Sequence, residues 1–225
     1  MLLDCPDRIL MLDGAMGTVL QARFPGASNF ETLNLSDPDA IQAVHEAYIA
    51  AGADIIETNS FGANRISQEE YGLQDKAREM ALQAARIARK AADKAKRRVL
   101  VAGSVGPTGK SLSLASDALD PAYRKYDFDD LVEVYGEQIG ALAEGGVDLI
   151  LLETCFDALN VKEAIYAMDK LGLDLPLAVS VSVSDRSGRT LTGQTIEAFY
   201  HSVEHGRLWA FGLNCSLGAQ ELTPL

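Results

Sequence analysis

The sequence predicts a parallel α/β fold, either doubly wound or a barrel. Three observations lead there. Six short apolar runs alternate with longer helical patterns along the 225 residues. The runs are continuously apolar, as strands buried on both faces of a parallel sheet are. A Gly-x-Asp tripeptide also recurs between helix end and strand, at Gly52-Ala53-Asp54, Gly146-Val147-Asp148 and Gly172-Leu173-Asp174.

In order, the predicted strands are ILML (9–12), DIIE (54–57), VLVA (99–102), LILL (149–152), LAVSVS (177–182) and AFGL (210–213). Helices between them carry clear punctuation. Asp37-Pro38 opens one with proline at its first position; Ile41, Val44, Tyr48 and Ala51 form its apolar stripe, and Gly52 stops it. Segment 75–98 reads as an Ala-rich helix with Lys and Arg toward its C-terminus, where they suit the helix dipole. Leu131, Val134, Tyr135, Gln138, Ile139 and Leu142 make a further face, ended by Gly145-Gly146. Asp157 caps a helix whose stripe is Val161, Ala164, Ile165, Met168 and Leu171. The longest irregular stretch, 105–128, follows a strand and is rich in Pro, Gly, Ser and Asp. In a βα barrel that is a top-face loop, where sites are built. No linker divides the chain, so 1–225 is read as one domain.

Composition narrows the function. Twenty Lys and Arg against thirty-two Asp and Glu leave a net charge of −12, which repels phosphate backbones and anionic membranes. No apolar run approaches the roughly 20 residues of a membrane span. Asp4, Asp7, Arg8 and Asp13 interrupt the first apolar positions, so no signal peptide is expected. Three scattered cysteines (Cys5, Cys155, Cys215) make no disulfide framework and point to a reducing compartment, the cytoplasm.

Three motifs tempt and are declined. The stretch 103–111 (GSVGPTGKS) imitates a phosphate-binding loop, but the required spacing would put glycine at Ser104. His201, Glu204 and His205 match a zinc-peptidase pattern, yet their helix should lie outside the sheet as a solvated end. Asp13-Gly14-Ala15-Met16-Gly17 is too short for a dinucleotide fingerprint and reads as a tight turn. Position singles out Asp13, Glu153 and Cys215. Each follows the C-terminal end of a predicted strand, and in a parallel α/β fold those ends converge on the site face. Two carboxylates and a thiol there could hold a cationic amine and a soft metal. Taken singly, each is also an ordinary helix cap or a small buried side chain.

Six segments, in order, resemble one family. They are LDGAMGT (12–18), ADIIETNSFGAN (53–64), AGSVGPTG (102–109), LLETCFDALNVKEA (151–164), SGRTLTGQTIEAFYHS (187–202) and FGLNCSLGA (211–219). They are similar to the homocysteine-binding domain of cobalamin-dependent methionine synthase. The resemblance implies a (βα)8 barrel of the TIM type with homocysteine and zinc at its top face. It assigns Asp13, Gly14 and Glu153 to the amino-acid end of homocysteine. Asn214-Cys215 matches the first of three zinc-binding cysteine positions, so Cys215 is the expected metal ligand. The reaction implied is methyl transfer from methylcobalamin, carried on another module, to a zinc-activated homocysteine thiolate. Zinc suits that role because a free thiol, with a pKa of about 8.5, is mostly protonated at neutral pH.

The sequence departs from the pattern at its end. It stops at Leu225 and contains no Cys-Cys pair, so two zinc ligands of the family are absent. The expectation is about six βα units of the eight, lacking the last two, with open sheet edges that invite self-association. Cobalamin- and folate-binding modules would then be partners in a longer parent chain. Cys155 could share the face of Cys215, and Cys5 should sit at the opposite end. Three functions compete: a homocysteine S-methyltransferase domain, an inactive fragment that only binds ligand or assembles, and a phosphosugar- or nucleotide-processing enzyme suggested by 103–111 alone.

Overall fold

A computed structural model describes residues 9–115, 117 and 119–224. Cys5 lies outside the described residues, and so does the expectation placed on it. Five strands form one parallel sheet: β1 (Ile55–Glu57), β2 (Leu100–Val105), β3 (Leu149–Cys155), β4 (Leu177–Val181) and β5 (Ala210–Leu213). Their spatial order is their chain order. A doubly wound sheet reverses its strand order part-way and carries helices on both faces. Here the order never reverses, and the two faces differ.

Alternate residues separate cleanly. Ile56, Val101, Ile150 and Val179 belong to the large core packed under the helices. Ile55, Leu100, Ala102, Leu149, Leu151 and Ala178 form a separate cluster on the other face. Right-handed crossovers put every helix on one side of a sheet built in sequence. This is the wall of a βα barrel, with the second cluster on its inner side. The predicted barrel-type α/β fold is therefore what forms.

Eight helices serve the argument: α1 (Met16–Arg23), α2 (Leu33–Ser36), α3 (Pro38–Ala51), α4 (Arg65–Glu69), α5 (Ala77–Asp93), α6 (Phe128–Glu144), α7 (Ala158–Lys170) and α8 (Ile196–Val203). The Asp37 carboxylate accepts from Ala40 N–H to start α3, and Gly52 at φ 113° ends it. Asp127 and Asp130 form a reciprocal cap on α6, and Asp157 accepts from Leu159 N–H at the start of α7. The predicted helix 75–98 is shorter: a 3-10 turn over Gln74–Lys76 leads into α5. The stretch between β2 and α6 carries no helix or strand among its described residues, as expected. No helix among the described residues is long and apolar enough to cross a membrane.

The recurring Gly-x-Asp has a structural reason. Gly52, Gly146 and Gly172 all take positive φ, the turn out of a helix that glycine adopts freely. Two of the aspartates that follow, Asp54 and Asp148, tie neighbouring strands together at their lower ends. Asp148 accepts from Val101 N–H at 2.7 Å, and Asp54 accepts from Met11 N–H at 3.0 Å.

The first predicted strand, 9–12, differs from expectation. It pairs beside β1 through a single parallel bridge, Leu12 with Ile55. Ile9 is 83%, Met11 58% and Leu12 45% exposed. Among the described residues nothing pairs with its other edge, so its apolar side chains lack the cover assumed for a strand buried on both faces. β5, at the opposite edge, is partly exposed along its whole length.

Candidate active site

The upper ends of the inner face turn from apolar to acidic. Two residues above Ile55, Ala102 and Leu151 on the same side of their strands stand Glu57, Ser104 and Glu153. Glu57, Ser104, Glu153, Thr154 and Cys215 line one cleft of about 300 Å³, closed on another side by Glu31, Phe30 and Phe61. No Lys or Arg is among its described lining residues.

Glu153 points inward by the same alternation as Leu149 and Leu151, and a bulge follows it. Leu152 pairs with Val179 but Cys155 pairs with Val181, so three residues of β3 span two of β4. Thr154, at φ 58°, takes up the extra residue. Bulges re-aim side chains in this way beside sites. One oxygen of Glu153 accepts from the Ser104 hydroxyl and the other from Asn214 Nδ2 at 3.5 Å. The bulge reverses Cys155. Instead of joining Cys215, its thiol is buried in the helix-facing core with Tyr135, and that burial pushes its pKa upward. The expectation that both thiols share a face is corrected by this one-residue insertion.

Asp13 closes the first turn. Its N–H donates to Ile55 O at 2.9 Å, and both carboxylate oxygens accept from Glu57 N–H at 3.2 and 3.1 Å. Gly14 follows with Tyr48 directly behind it: a Cβ there would lie 2.9 Å from the Tyr48 hydroxyl. Asp13, Glu57 and Glu153 are close enough to feel one another. Burial pushes Asp13 up to about 7 against the Glu57 N–H bond, with the Glu153 charge adding to the rise. Burial, then the charges of Glu153 and Asp13, push Glu57 to about 9. Glu153 is also raised by burial, opposed by the Ser104 hydrogen bond. Three carboxyls whose ionised forms lack a cation make a place that favours an incoming ammonium.

In the same cleft Cys215 is exposed, at φ 58°. Among the described residues no three His, Cys, Asp or Glu side chains are arranged to hold a metal. One thiol is a single ligand where a tetrahedral zinc site takes four donors. The described residues therefore do not by themselves make a zinc site.

Glu57, Ser104 and Asn214 were not foreseen as site residues. A signal existed for the first, because Glu57-Thr58 repeats in Glu153-Thr154 at the ends of two strands. In the sequence Ser104 is marked by nothing but the phosphate-loop spacing it breaks. The zinc-peptidase imitation is a solvated helix end: His201 sits exposed on the last turn of α8, 3.3 Å from Glu204.

A family model of homocysteine S-methyltransferases matches residues 10–225. The chain belongs to the homocysteine S-methyltransferase family. Among solved structures, it is similar to the metallated form of the homocysteine methyltransferase MmuM from Escherichia coli. The TM-score is 0.80 at 25% identity, over 99% of this chain and 79% of that one. The apo form of the same enzyme aligns with a TM-score of 0.72 at 24% identity, over 98% of this chain and 76% of the other. As a homocysteine S-methyltransferase family member, the chain presents an acidic pocket and a thiol where the strand ends of its barrel wall converge.

Proposed function

We propose that the cleft binds homocysteine for methylation of its sulfur, with its ammonium among Asp13, Glu57 and Glu153 and its thiol directed toward Cys215. One observation carries this reading: a cleft lined by the carboxyls of Glu31, Glu57 and Glu153, with no Lys or Arg among its described lining residues and with an exposed thiol. Gly14 lets the turn that presents Asp13 pack against Tyr48. Ser104 and Asn214 hold Glu153 in one orientation.

The finer reading follows the resemblance to methionine synthase. Residues 1–225 would be the first six βα units of a homocysteine-binding barrel domain, with Cys215 as one zinc ligand. Further thiolates would have to come from outside the described residues. The zinc would lower the pKa of the substrate thiol, and methylcobalamin on another module would supply the methyl group. The cytoplasm, where thiols stay reduced, suits this chemistry. A single thiol equally supports the second reading, a fragment that binds ligand or assembles without turning over.

Calorimetry with L-homocysteine tests the first reading. Glu153→Gln is expected to weaken binding about tenfold or more, since a charged hydrogen bond is worth about 1.5–3 kcal/mol. Equal affinity in parent and variant would refute the role of Glu153. Zinc content and methyl transfer from methylcobalamin, measured on the same preparation, separate the catalytic reading from the binding one.

A further inference from the structure

Glu153 and Cys215 both line the cleft and stand on β3 and just past β5, with β4 between those strands. Asn214 spans the gap. Its main-chain N–H donates to Val181 O at 3.1 Å, at the end of β4. Its side chain then reaches β3: Oδ1 accepts from Thr154 N–H at 3.1 Å, and Nδ2 donates to Thr154 Oγ1 at 3.1 Å and to Glu153 Oε2 at 3.5 Å. An N–H donor on one side and a carboxylate on the other permit one orientation of the amide. An aspartate could not donate to Glu153, and a serine is too short to reach both groups.

The two residues flanking this link are both strained. Thr154 and Cys215 each sit at φ 58° without being glycine. For β-branched threonine this conformation is uncommon, and it persists where surrounding contacts hold it. The Asn214 bond to Thr154 N–H is such a contact. It fixes the bulge that follows Glu153, the Asn214 Nδ2 reaches the Glu153 carboxylate directly, and Asn214 itself precedes Cys215.

We propose that Asn214 is a positioning residue: its amide clamps the Thr154 bulge and so holds the Glu153 carboxylate and the Cys215 thiol at a set separation across the cleft. The inference rests on the reading of the cleft as a homocysteine site. It goes beyond that reading by naming the side chain that sets the distance between the ammonium-binding carboxylate and the thiol.

The test compares Asn214→Ala with the double variant Asn214→Ala/Thr154→Gly, using two readouts. One is L-homocysteine affinity by calorimetry. The other is the rate at which Cys215 reacts with a disulfide reagent such as DTNB, with the modified peptide mapped by mass spectrometry. Asn214→Ala is expected to weaken homocysteine about tenfold, from the hydrogen bonds lost. It should also change the Cys215 rate by about threefold or more, as the thiol leaves its held geometry. Glycine takes a positive φ without a clamp, so the double variant should regain much of the affinity while the Cys215 rate stays altered. A purely structural asparagine would move both readouts together with the melting temperature. Affinity and rate both within about twofold of the parent, a gap of under half a kcal/mol, would overturn the clamp. So would recovery of both in the double variant. If Asn214→Ala does not fold, the double variant, freed of the strain, carries the comparison with the parent. If the parent binds no homocysteine, the reading of the cleft fails and the Cys215 rate alone decides the clamp: altered supports it, unaltered overturns it.

Discussion

Both carboxylate oxygens of Asp13 accept the same main-chain N–H, that of Glu57, at 3.2 and 3.1 Å. A residue from the first turn thus grips the end of β1 and sets its own charge beside that of Glu57. Main-chain hydrogen bonding holds two acids together that electrostatics alone would drive apart. The arrangement is unfavourable for the empty cleft and favourable once a cation enters it.

Glu57→Gln should therefore stabilise the protein while weakening its ligand. The folded pKa of Glu57 is raised from 4.5 to about 9. A group raised on folding contributes stability that is fully present below its unfolded pKa and is lost as pH rises through the folded value. The parent thus loses this contribution between about pH 4.5 and pH 9, and the glutamine variant does not. Urea unfolding at pH 8 should show the variant more stable by about 1–3 kcal/mol, a discounted figure from 1.36 kcal/mol per pKa unit. At pH 4 the difference should vanish. A variant less stable than the parent at pH 8 would overturn the assignment.

His45 gives the opposite dependence. It is fully buried on α3, and neither ring nitrogen has a hydrogen-bond partner among the described residues. Burial lowers its pKa from 6.5 to about 4. Here the unfolded chain takes up the proton first, so stability falls as pH drops from about 6.5 to about 4. The full loss is about 3 kcal/mol at 1.36 kcal/mol per pKa unit. His45→Leu should flatten the thermal-melting profile across this range. An unchanged acid limb would show that other groups govern it.

Gly14→Ala should disturb the turn that presents Asp13. Its Cβ would sit 2.9 Å from the Tyr48 hydroxyl and 3.0 Å from the ring. Overpacking of this kind costs about 1–3 kcal/mol, and the displaced turn should weaken homocysteine as well. Tyr48→Leu, which clears the space, should restore part of both losses. An alanine variant with parental stability and affinity would count against any role for the glycine.

The sheet edges predict association. β5 is partly exposed along its length, and the segment 9–12 makes one bridge among the described residues while Ile9, Met11 and Leu12 face solvent. Open parallel edges template pairing with another chain. Light scattering on the 225-residue chain should read twice the monomer mass or more, and methionine formation from methylcobalamin should be absent or slow. A clean monomer turning over at about 1 s⁻¹ or faster, an ordinary enzyme rate, would contradict both expectations.

Much of this site was legible residue by residue. Strand ends mark where side chains gather in a parallel sheet, so Asp13, Glu153 and Cys215 could be named from position. Gly52 and Gly146 were readable as helix stops because few residues but glycine take positive φ. Glu57 was legible in principle through its repeat with Glu153, but one carboxylate at a strand end is indistinguishable in sequence from a solvated one. The pairing of Ser104 with Glu153 joins residues 49 apart. That of Asn214 with Thr154 joins residues 60 apart. No local pattern encodes such contacts.

Local chemistry is thus what the sequence by itself determined: caps, helix stops, buried strands, and the family through six ordered segments. Those properties depend on neighbours within a few residues. The chain order of the strands, with helices outside, was already implied by the resemblance to a βα barrel. Tertiary structure alone decided that a single inserted residue at Thr154 turns Cys155 into the core and leaves Cys215 as the one thiol among the described residues of the cleft. Side-chain direction in a strand has a period of two, so one extra residue exchanges the faces. Whether such a residue is absorbed as a bulge depends on what the adjacent strand offers, here the register with Val179 and Val181 on β4.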